Sequence, residues 1–431
     1  MLFKKSKYKC KAAEHSLLFQ PSGEVFACHY NRGYVLGKYP ENTIKQIWNN
    51  KKRKALKKSI IKGSFNLGCH ECKKALDNGL FQSAGINKYE YIIETNKKHP
   101  TSMEFQLDNI CNLQCIMCSG EYSSQIRKYR EKGPAYISPY DDNFVTQLKS
   151  YIPSLQYAAF TGGEPFLFDI YYEIWDEIKL LNPELQIYVS TNGTILNDRV
   201  KSYIENLNFN FTISIDSLNK TNYESIRKNA VFETTIDNLN YYINFCKSKK
   251  RKINIKCLVT PFNYQDLPEL VHFFNKKSVN VIPKTVLLPG FASINNLNKN
   301  KLKEVRSTIE NIEYNCSDPI QVQNKIRFDE IITYVNKLIN QSIYNKPLSN
   351  SDLIYILKEK IHNVLLTMPQ KNDIDYFLNR FDYVISSLKN ELELNIALNN
   401  LMILNTETII NELNRKDLNK FIARFKQISP N

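Results

Sequence analysis

Glycine is scarce, at 13 of 431 residues, and tryptophan scarcer still, at two. So few glycines exclude a collagen-like chain and a flexible-linker protein. No apolar run approaches the roughly 18 residues of a membrane-spanning helix. Residues 1–11 carry charge with no apolar stretch behind them, so no secretory signal is expected, and with it no disulfides. The six histidines form no HExxH or comparable pair, which removes the commonest hydrolytic zinc pattern. What is present is a basic excess, 58 Lys and Arg against 43 Asp and Glu, a net charge of +15. Apolar residues at 42% and charged residues at 23% describe a folded globular chain rather than a disordered one. At roughly 150 residues per domain the length gives a prior of about three domains. Ten cysteines remain to be explained. In a chain expected to be cytoplasmic they point to metal ligation or thiol chemistry, so their spacing carries the reading.

Residues 17–19 and 25–27 read as a β-hairpin around Pro21-Ser22-Gly23, and Ile44, Ile47 and Trp48 share one face of a helix. This Cys-rich stretch, residues 1–85, is expected to be one small module, with a linker at 96–100. Residues 100–290 alternate short apolar strands with amphipathic helices. Strands are expected at 103–108, 157–161, 186–190, 210–215, 253–259 and 279–286, and helices at 170–181, 200–207, 234–246 and 267–274. Repeated βα units imply an α/β fold with parallel strands, and six of them fit a partial (β/α)6 TIM-like barrel. Functional residues then belong at the C-terminal ends of the strands. Residues 291–431 are expected to be α-helical, with Leu392, Leu394, Ile396, Leu398 and Leu401 among the recurring apolar positions.

Just after the first of these strands stand Cys111, Cys115 and Cys118, three cysteines within eight residues. Three thiolates suit an iron–sulfur cube and leave one iron without a protein ligand. An open metal position is what a catalytic site requires and a closed structural site lacks. A zinc knuckle is the alternative, but it wants a fourth ligand nearby, and neither Cys nor His follows within the next hundred residues. At the end of the second strand stands Thr161-Gly162-Gly163-Glu164-Pro165. Two glycines let backbone approach a ligand closely, and a carboxylate beside them can pair with an ammonium group. Ser190 and Asn192 end the third strand and Ser214 and Asp216 the fourth, where short polar side chains can reach hydroxyls or a carboxylate. Arg227 follows, and a guanidinium matches a carboxylate bidentately.

The CxxxCxxC loop after the first barrel strand resembles the signature of the radical SAM superfamily. The resemblance implies that Cys111, Cys115 and Cys118 hold a [4Fe–4S] cluster whose fourth iron is chelated by S-adenosylmethionine. It implies that reductive cleavage yields a 5′-deoxyadenosyl radical, which abstracts hydrogen from a substrate C–H bond. Gly162, Gly163 and Glu164 resemble the GGEP motif that holds the methionyl amine. Ser190, Asn192, Ser214 and Asp216 are assigned by the same resemblance to the SAM pocket, with Arg227 as partner for the methionyl carboxylate. No catalytic side chain beyond the cluster ligands is implied, and the adenine contacts are not legible.

Cys10 and Cys28 flank the hairpin, and Cys69-x2-Cys72 follows. Four thiolates make a closed site whose metal either staples a small domain or carries electrons. The spacing Cys10-x12-Gly23-x4-Cys28, then Ile47-Trp48-Asn49, then Cys69-x2-Cys72 resembles the SPASM/twitch module. Its short form implies one auxiliary [4Fe–4S] cluster, with a zinc ribbon as the alternative. Together these resemblances describe a radical SAM enzyme with an auxiliary cluster as electron acceptor. The substrate is expected to be a peptide or protein side chain. A small-molecule dehydrogenase of a sugar or alcohol is the alternative, and a non-catalytic iron–sulfur or zinc interaction protein is the rival of another class. A flavodoxin- or ferredoxin-type reductant is the expected partner. No nucleic-acid motif accompanies the basic clusters at 51–58 and 247–252, and no membrane partner is expected. Cys246, Cys257 and Cys316 stand alone, the first two as buried small hydrophobes.

Overall fold

Phenylalanine recurs at buried strand positions, Phe19, Phe105, Phe160, Phe209 and Phe211 among them, and these rings pack from strand to strand. The structure, a computed structural model, describes residues 10–77, 84–89, 92, 98–287, 289–341, 349–367, 373–388, 390–404, 406–414, 418–419 and 421–422. Nine strands are described: β1 Ser16–Phe19, β2 Glu24–Phe26, β3 Gly37–Lys38, β4 Ser102–Phe105, β5 Tyr157–Phe160, β6 Gln186–Thr191, β7 Phe209–Ser214, β8 Ile253–Val259 and β9 Asn280–Thr285. They form one sheet in the order β3-β2-β1-β4-β5-β6-β7-β8-β9. β4 to β7 pair in parallel. β7 and β8 run the same way, with Phe211 N–H donating to Lys252 O and Ile215 N–H to Lys256 O. Helices Asp169–Leu181, Asp198–Asn206, Phe232–Ser248 and Leu267–Lys276 alternate with these strands. The α/β class and the partial-barrel order expected from the sequence are therefore present.

One pairing was not expected. β1 and β2 form the hairpin, with Gly23 at its turn in the left-handed region at φ +83°. β1 also runs parallel to β4, Leu17 opposite Met103 and Phe19 opposite Phe105. The N-terminal hairpin thus extends the same sheet instead of standing apart. Apolar packing explains it: Phe19 stacks on Phe105 at 5.8 Å between ring centroids, and Phe105 on Phe160 at 4.9 Å. Phe160 meets Trp175 edge-on at 5.4 Å, and Trp175 meets Phe209 at 5.2 Å. Each such pair contributes about 0.5–1.5 kcal/mol beyond its buried area.

By internal contacts the chain divides into two units. The first comprises residues up to Gln114, Gly120–Ser214 and Asn229–Ile255, and the second Cys115–Ser119, Ile215–Lys228 and Lys256–Asn431. In the second unit, helix Pro319–Gln341 covers the edge of β9. Asn324 accepts a hydrogen bond from Val281 N–H at 2.7 Å and donates to Val279 O at 3.2 Å. An exposed strand edge is a template for mispairing, and a buried amide closes it. Helices Asn350–Thr367, Ile374–Ser386, Glu391–Ile403 and Thr406–Leu413 have a core of their own, built on Leu357, Ile361, Phe381, Leu401 and Leu413. Of the apolar positions named in this region, the side chain at 392 lies outside the described residues, as do residues 96 and 97 of the expected linker. Among the described residues no helix is long and apolar enough to cross a membrane.

Candidate functional site: two thiol clusters

The polypeptide leaving β4 turns at residues 106–110 and then carries Cys111, Cys115 and Cys118, all half-buried. In the first unit this loop is laced to the segment after it. Cys111 N–H donates to Ser124 Oγ at 3.2 Å, Asn109 Nδ2 to Gly120 O at 2.7 Å, and Ser123 Oγ to Leu113 O at 2.7 Å. In the second unit Cys118 N–H donates to Cys115 O at 3.1 Å, and Ile116 N–H to Ile226 O at 2.9 Å. Three thiols on one loop at the C-terminal end of a strand lie where an α/β barrel places its chemistry.

Gly162 and Gly163 follow β5, against the cysteine loop. Gly162 has φ +96°, a backbone that favours glycine. A Cβ at Gly163 would overlap the Ile110 carbonyl oxygen, one residue before Cys111. Glu164 N–H donates to that same carbonyl at 2.7 Å. The Glu164 side chain is fully buried. One of its oxygens accepts from Thr191 Oγ1 at 2.8 Å and from Phe166 N–H at 3.3 Å. The other accepts from Asn192 N–H at 2.8 Å. The carboxylate therefore ties the β5 turn to the end of β6. Asn192 in turn donates to Asn112 Oδ1 at 3.0 Å, and Asn112 donates to Thr194 Oγ1 at 2.8 Å. Thr191, Asn112 and Thr194 complete a network that sequence reasoning missed. Thr191 lies between the Ser190 and Asn192 it singled out, and Thr194 two residues beyond. Ser190 is half-buried, on the β6 face opposite Val189.

In the second unit Asp216 and Arg227 find each other. Arg227 Nη2 lies 2.7 Å from Asp216 Oδ2, and both side chains are buried. Asp216 Oδ1 accepts from Leu258 N–H at 2.8 Å. Burial opposes the charge on Arg227, but Asp216 and the nearby Cys115 outweigh it and hold the guanidinium more firmly protonated than usual. Arg227 Nε is buried without a hydrogen-bond partner among the described atoms. Ser214 is half-buried on β7.

The second cluster lies wholly in the first unit. Cys10, Cys28, Cys69 and Cys72 line one cavity of about 380 Å³, open solvent at its mouth included, with Leu56, Ile60 and Phe65 among its walls. The sequence separates these cysteines by up to 62 positions, and the fold brings all four to one place. Burial pushes the thiols up, Cys10 to about 11 and Cys69 to about 12, with Cys28 raised further by burial and by the other three. Left to themselves the four stay protonated thiols, and only a cation bound among them would favour the thiolates that ligate a metal. Donors already face the sulfurs: buried Asn31 Nδ2 stands 3.0 Å from Cys69 Sγ, and Gly85 N–H 3.3 Å from Cys72 Sγ. A Cβ at Gly85 would collide with the Tyr30 ring of the same cavity. A soft, all-thiolate donor set with N–H groups aimed at sulfur suits an iron–sulfur cluster. Among the described residues no three His, Cys, Asp or Glu side chains are disposed to hold a single metal ion. Cys246 and Cys257 are fully buried, as expected, and Cys316 is exposed.

These features define a cluster-binding α/β protein. Comparison with protein families narrows the class: the radical SAM superfamily matches residues 106–274, and SPASM, an iron–sulfur cluster-binding domain, matches residues 10–73. Residues 106–274 thus form a radical SAM domain with a SPASM module ahead of it, and both domains imply [4Fe–4S] clusters. An uncharacterised protein of Methanocaldococcus jannaschii, MJ0907, is 29% identical over 227 residues, covering 49% of this chain and 75% of its own. A GTP 3′,8-cyclase of Clostridium perfringens is 25% identical over 183 residues, 42% of this chain and 53% of its own. The chain thus spans about half the length of that cyclase. Streptococcus suis SuiB bound to its precursor peptide SuiA has a TM-score of 0.37 and 13% identity, covering 62% of this chain and 61% of SuiB. A likeness at that level carries no functional argument.

Proposed function

We propose that this chain is a radical SAM enzyme that uses Cys111, Cys115 and Cys118 to hold its catalytic cluster and Cys10, Cys28, Cys69 and Cys72 to hold an auxiliary one. The observation that carries the reading is the CxxxCxxC loop packed on the Gly163 backbone at the C-terminal end of neighbouring parallel strands. When bound, the catalytic cluster supplies the electron that cleaves S-adenosylmethionine to a 5′-deoxyadenosyl radical, which takes hydrogen from a substrate C–H bond. Gly162 and Gly163 keep the backbone low beside the cluster loop. Glu164 fixes the turn through Thr191 and Asn192. The buried Asp216–Arg227 pair places a cation beside Cys115. Ser190 and Ser214 offer hydroxyls on the half-buried face of the strands.

Cys10, Cys28, Cys69 and Cys72 would hold an auxiliary cluster, which when bound would supply an acceptor for the electron left after hydrogen abstraction. A peptide or protein side chain is the substrate class favoured by the resemblance of the module to those of peptide-modifying enzymes. The relatives named GTP 3′,8-cyclase support a second reading, a small-molecule substrate. A flavodoxin or ferredoxin is the reductant in either case, and the cytoplasm is the setting.

Iron, sulfide and zinc per chain, measured on anaerobic wild type and on the Cys111→Ala/Cys115→Ala/Cys118→Ala variant, test the reading. About eight irons falling to about four is the expected result for two cubes. Four irons and one zinc, with only zinc left in the variant, would remove the electron-acceptor role. Failure of the wild type to release 5′-deoxyadenosine under strong reductant would remove the catalytic one.

A further inference from the structure

Between Glu41 and Glu71 the chain carries eight Lys and Arg residues and not one Asp or Glu. Most of them lie on the helix Lys51–Ile61, which has two faces of opposite character. Leu56 and Ile60 are buried and line the four-thiol cavity. Lys51, Lys54 and Lys58, at i, i+3 and i+7, are exposed on the opposite face. The neighbouring cations are engaged elsewhere: Lys57 pairs with Glu14 at 2.7 Å, and the Arg53 guanidinium lies 3.7 Å from the Trp48 ring centroid. Among the described residues these three ammonium groups have no ion-pair partner, and the thickness of one helix, about 10–12 Å, separates them from the thiol cavity.

We infer that this face, Lys51, Lys54 and Lys58, is the docking surface of an acidic one-electron carrier protein that exchanges electrons with the auxiliary cluster. The inference rests on the proposed iron–sulfur character of the four-thiol site. Charge complementarity selects an acidic partner, since a single-sign patch steers an oppositely charged protein and raises its on-rate by 10- to 1,000-fold. Placement selects a redox partner, because only an electron carrier gains from lying one helix away from the sulfurs. An acidic peptide gains nothing from that proximity. The exchange is balanced. A reduced flavin gives up one electron and becomes the semiquinone, and the oxidised cluster gains that electron. The reverse transfer returns it to an oxidised carrier.

The test uses the full-length Cys111→Ala/Cys115→Ala/Cys118→Ala chain, in which the auxiliary cluster is the one that reports. Its reduction by a purified, reduced bacterial flavodoxin is followed by stopped flow, with and without Lys51→Glu/Lys54→Glu/Lys58→Glu. A Gln triple variant serves as a gentler change should the reversal impair folding. Cluster content and reduction by photoreduced deazaflavin control for damage to the site. The expected result is a second-order rate about tenfold or more lower in the Glu variant at low salt, an intermediate loss in the Gln variant, and convergence of all three at high salt. Equal rates at low salt, with intact clusters, would overturn the proposal. So would loss of polyglutamate peptide binding without loss of the flavodoxin rate, which would make this face a peptide site. Zinc in place of iron at the four thiols would overturn both this inference and the redox reading beneath it. Metal analysis distinguishes that outcome before any rate is measured.

Discussion

Gly162 and Gly163 are adjacent and are held to glycine by different forces. Gly162 needs it for a left-handed backbone, while Gly163 needs it because the Ile110 carbonyl occupies the place of a Cβ. Gly162→Ala is expected to cost about 1 kcal/mol of backbone strain. Gly163→Ala must push back the loop that carries Cys111. The expected outcome is an iron content near half that of wild type, with the four-thiol site still loaded. Full iron in the Gly163→Ala chain would show that Ile110 yields without disturbing the cysteines. At this scale the chemistry-bearing residues were legible and their partners were not. Cys111, Cys115, Cys118 and Gly162-Gly163-Glu164 announce themselves by spacing. Thr191, which holds Glu164 from 27 positions away, and Asn112, which meets Asn192 from 80 positions away, are ordinary polar residues until the strands bring them together. Arg227, expected as the partner of a methionyl carboxylate, pairs with Asp216, eleven residues upstream across the helix Lys220–Ile226, a contact that no periodicity describes.

Among the elements, β8 was expected at the residues where it stands, since its apolar alternation runs cleanly from Ile253 to Val259. Helix starts were less legible. The helix expected from residue 200 begins at Asp198, because the Asn197 side chain accepts from Val200 N–H and caps it. Apolar spacing cannot register a cap. The two-residue β3 was missed for the same reason, being too short for any period. The edge of β9 offers a test of how the second unit closes its sheet. Asn324→Leu removes both hydrogen bonds to that edge and leaves buried backbone groups unpaired, a loss of about 1–3 kcal/mol for each group left unsatisfied. A lower melting temperature is expected for Asn324→Leu, against no change for Gln323→Leu on the exposed side of the same helix.

Over the whole molecule the ten cysteines divide by environment. Seven fall in the two groups proposed to hold clusters. Burial pushes the Cys246 thiol up to about 12 and raises Cys257 as well, so at neutral pH neither presents the thiolate that reacts. Cys316 alone is exposed. Iodoacetamide added to the cluster-loaded protein near pH 8 is therefore expected to label one site, Cys316, by peptide mapping. Labelling of Cys246 or Cys257 without denaturant would mean that the sheet and its helices open readily. Stripping the iron with a chelator should open the half-buried Cys10, Cys72, Cys111, Cys115 and Cys118 next, ahead of the buried Cys28 and Cys69.

The parallel pairing of β1 with β4 also has a consequence for how the chain is made. Gln20 and Gln106, which continue that pairing with a 2.6 Å side-chain hydrogen bond, are 86 positions apart. On the ribosome, the first strand emerges long before its partner exists. Until then the hairpin has an unpaired edge, and Phe19 has no ring from β4 to stack on. The four thiols, by contrast, are all synthesised before β4. A metal captured at that stage would hold the early segment together while it waits, so the order of translation favours filling the N-terminal site first and completing the sheet afterwards.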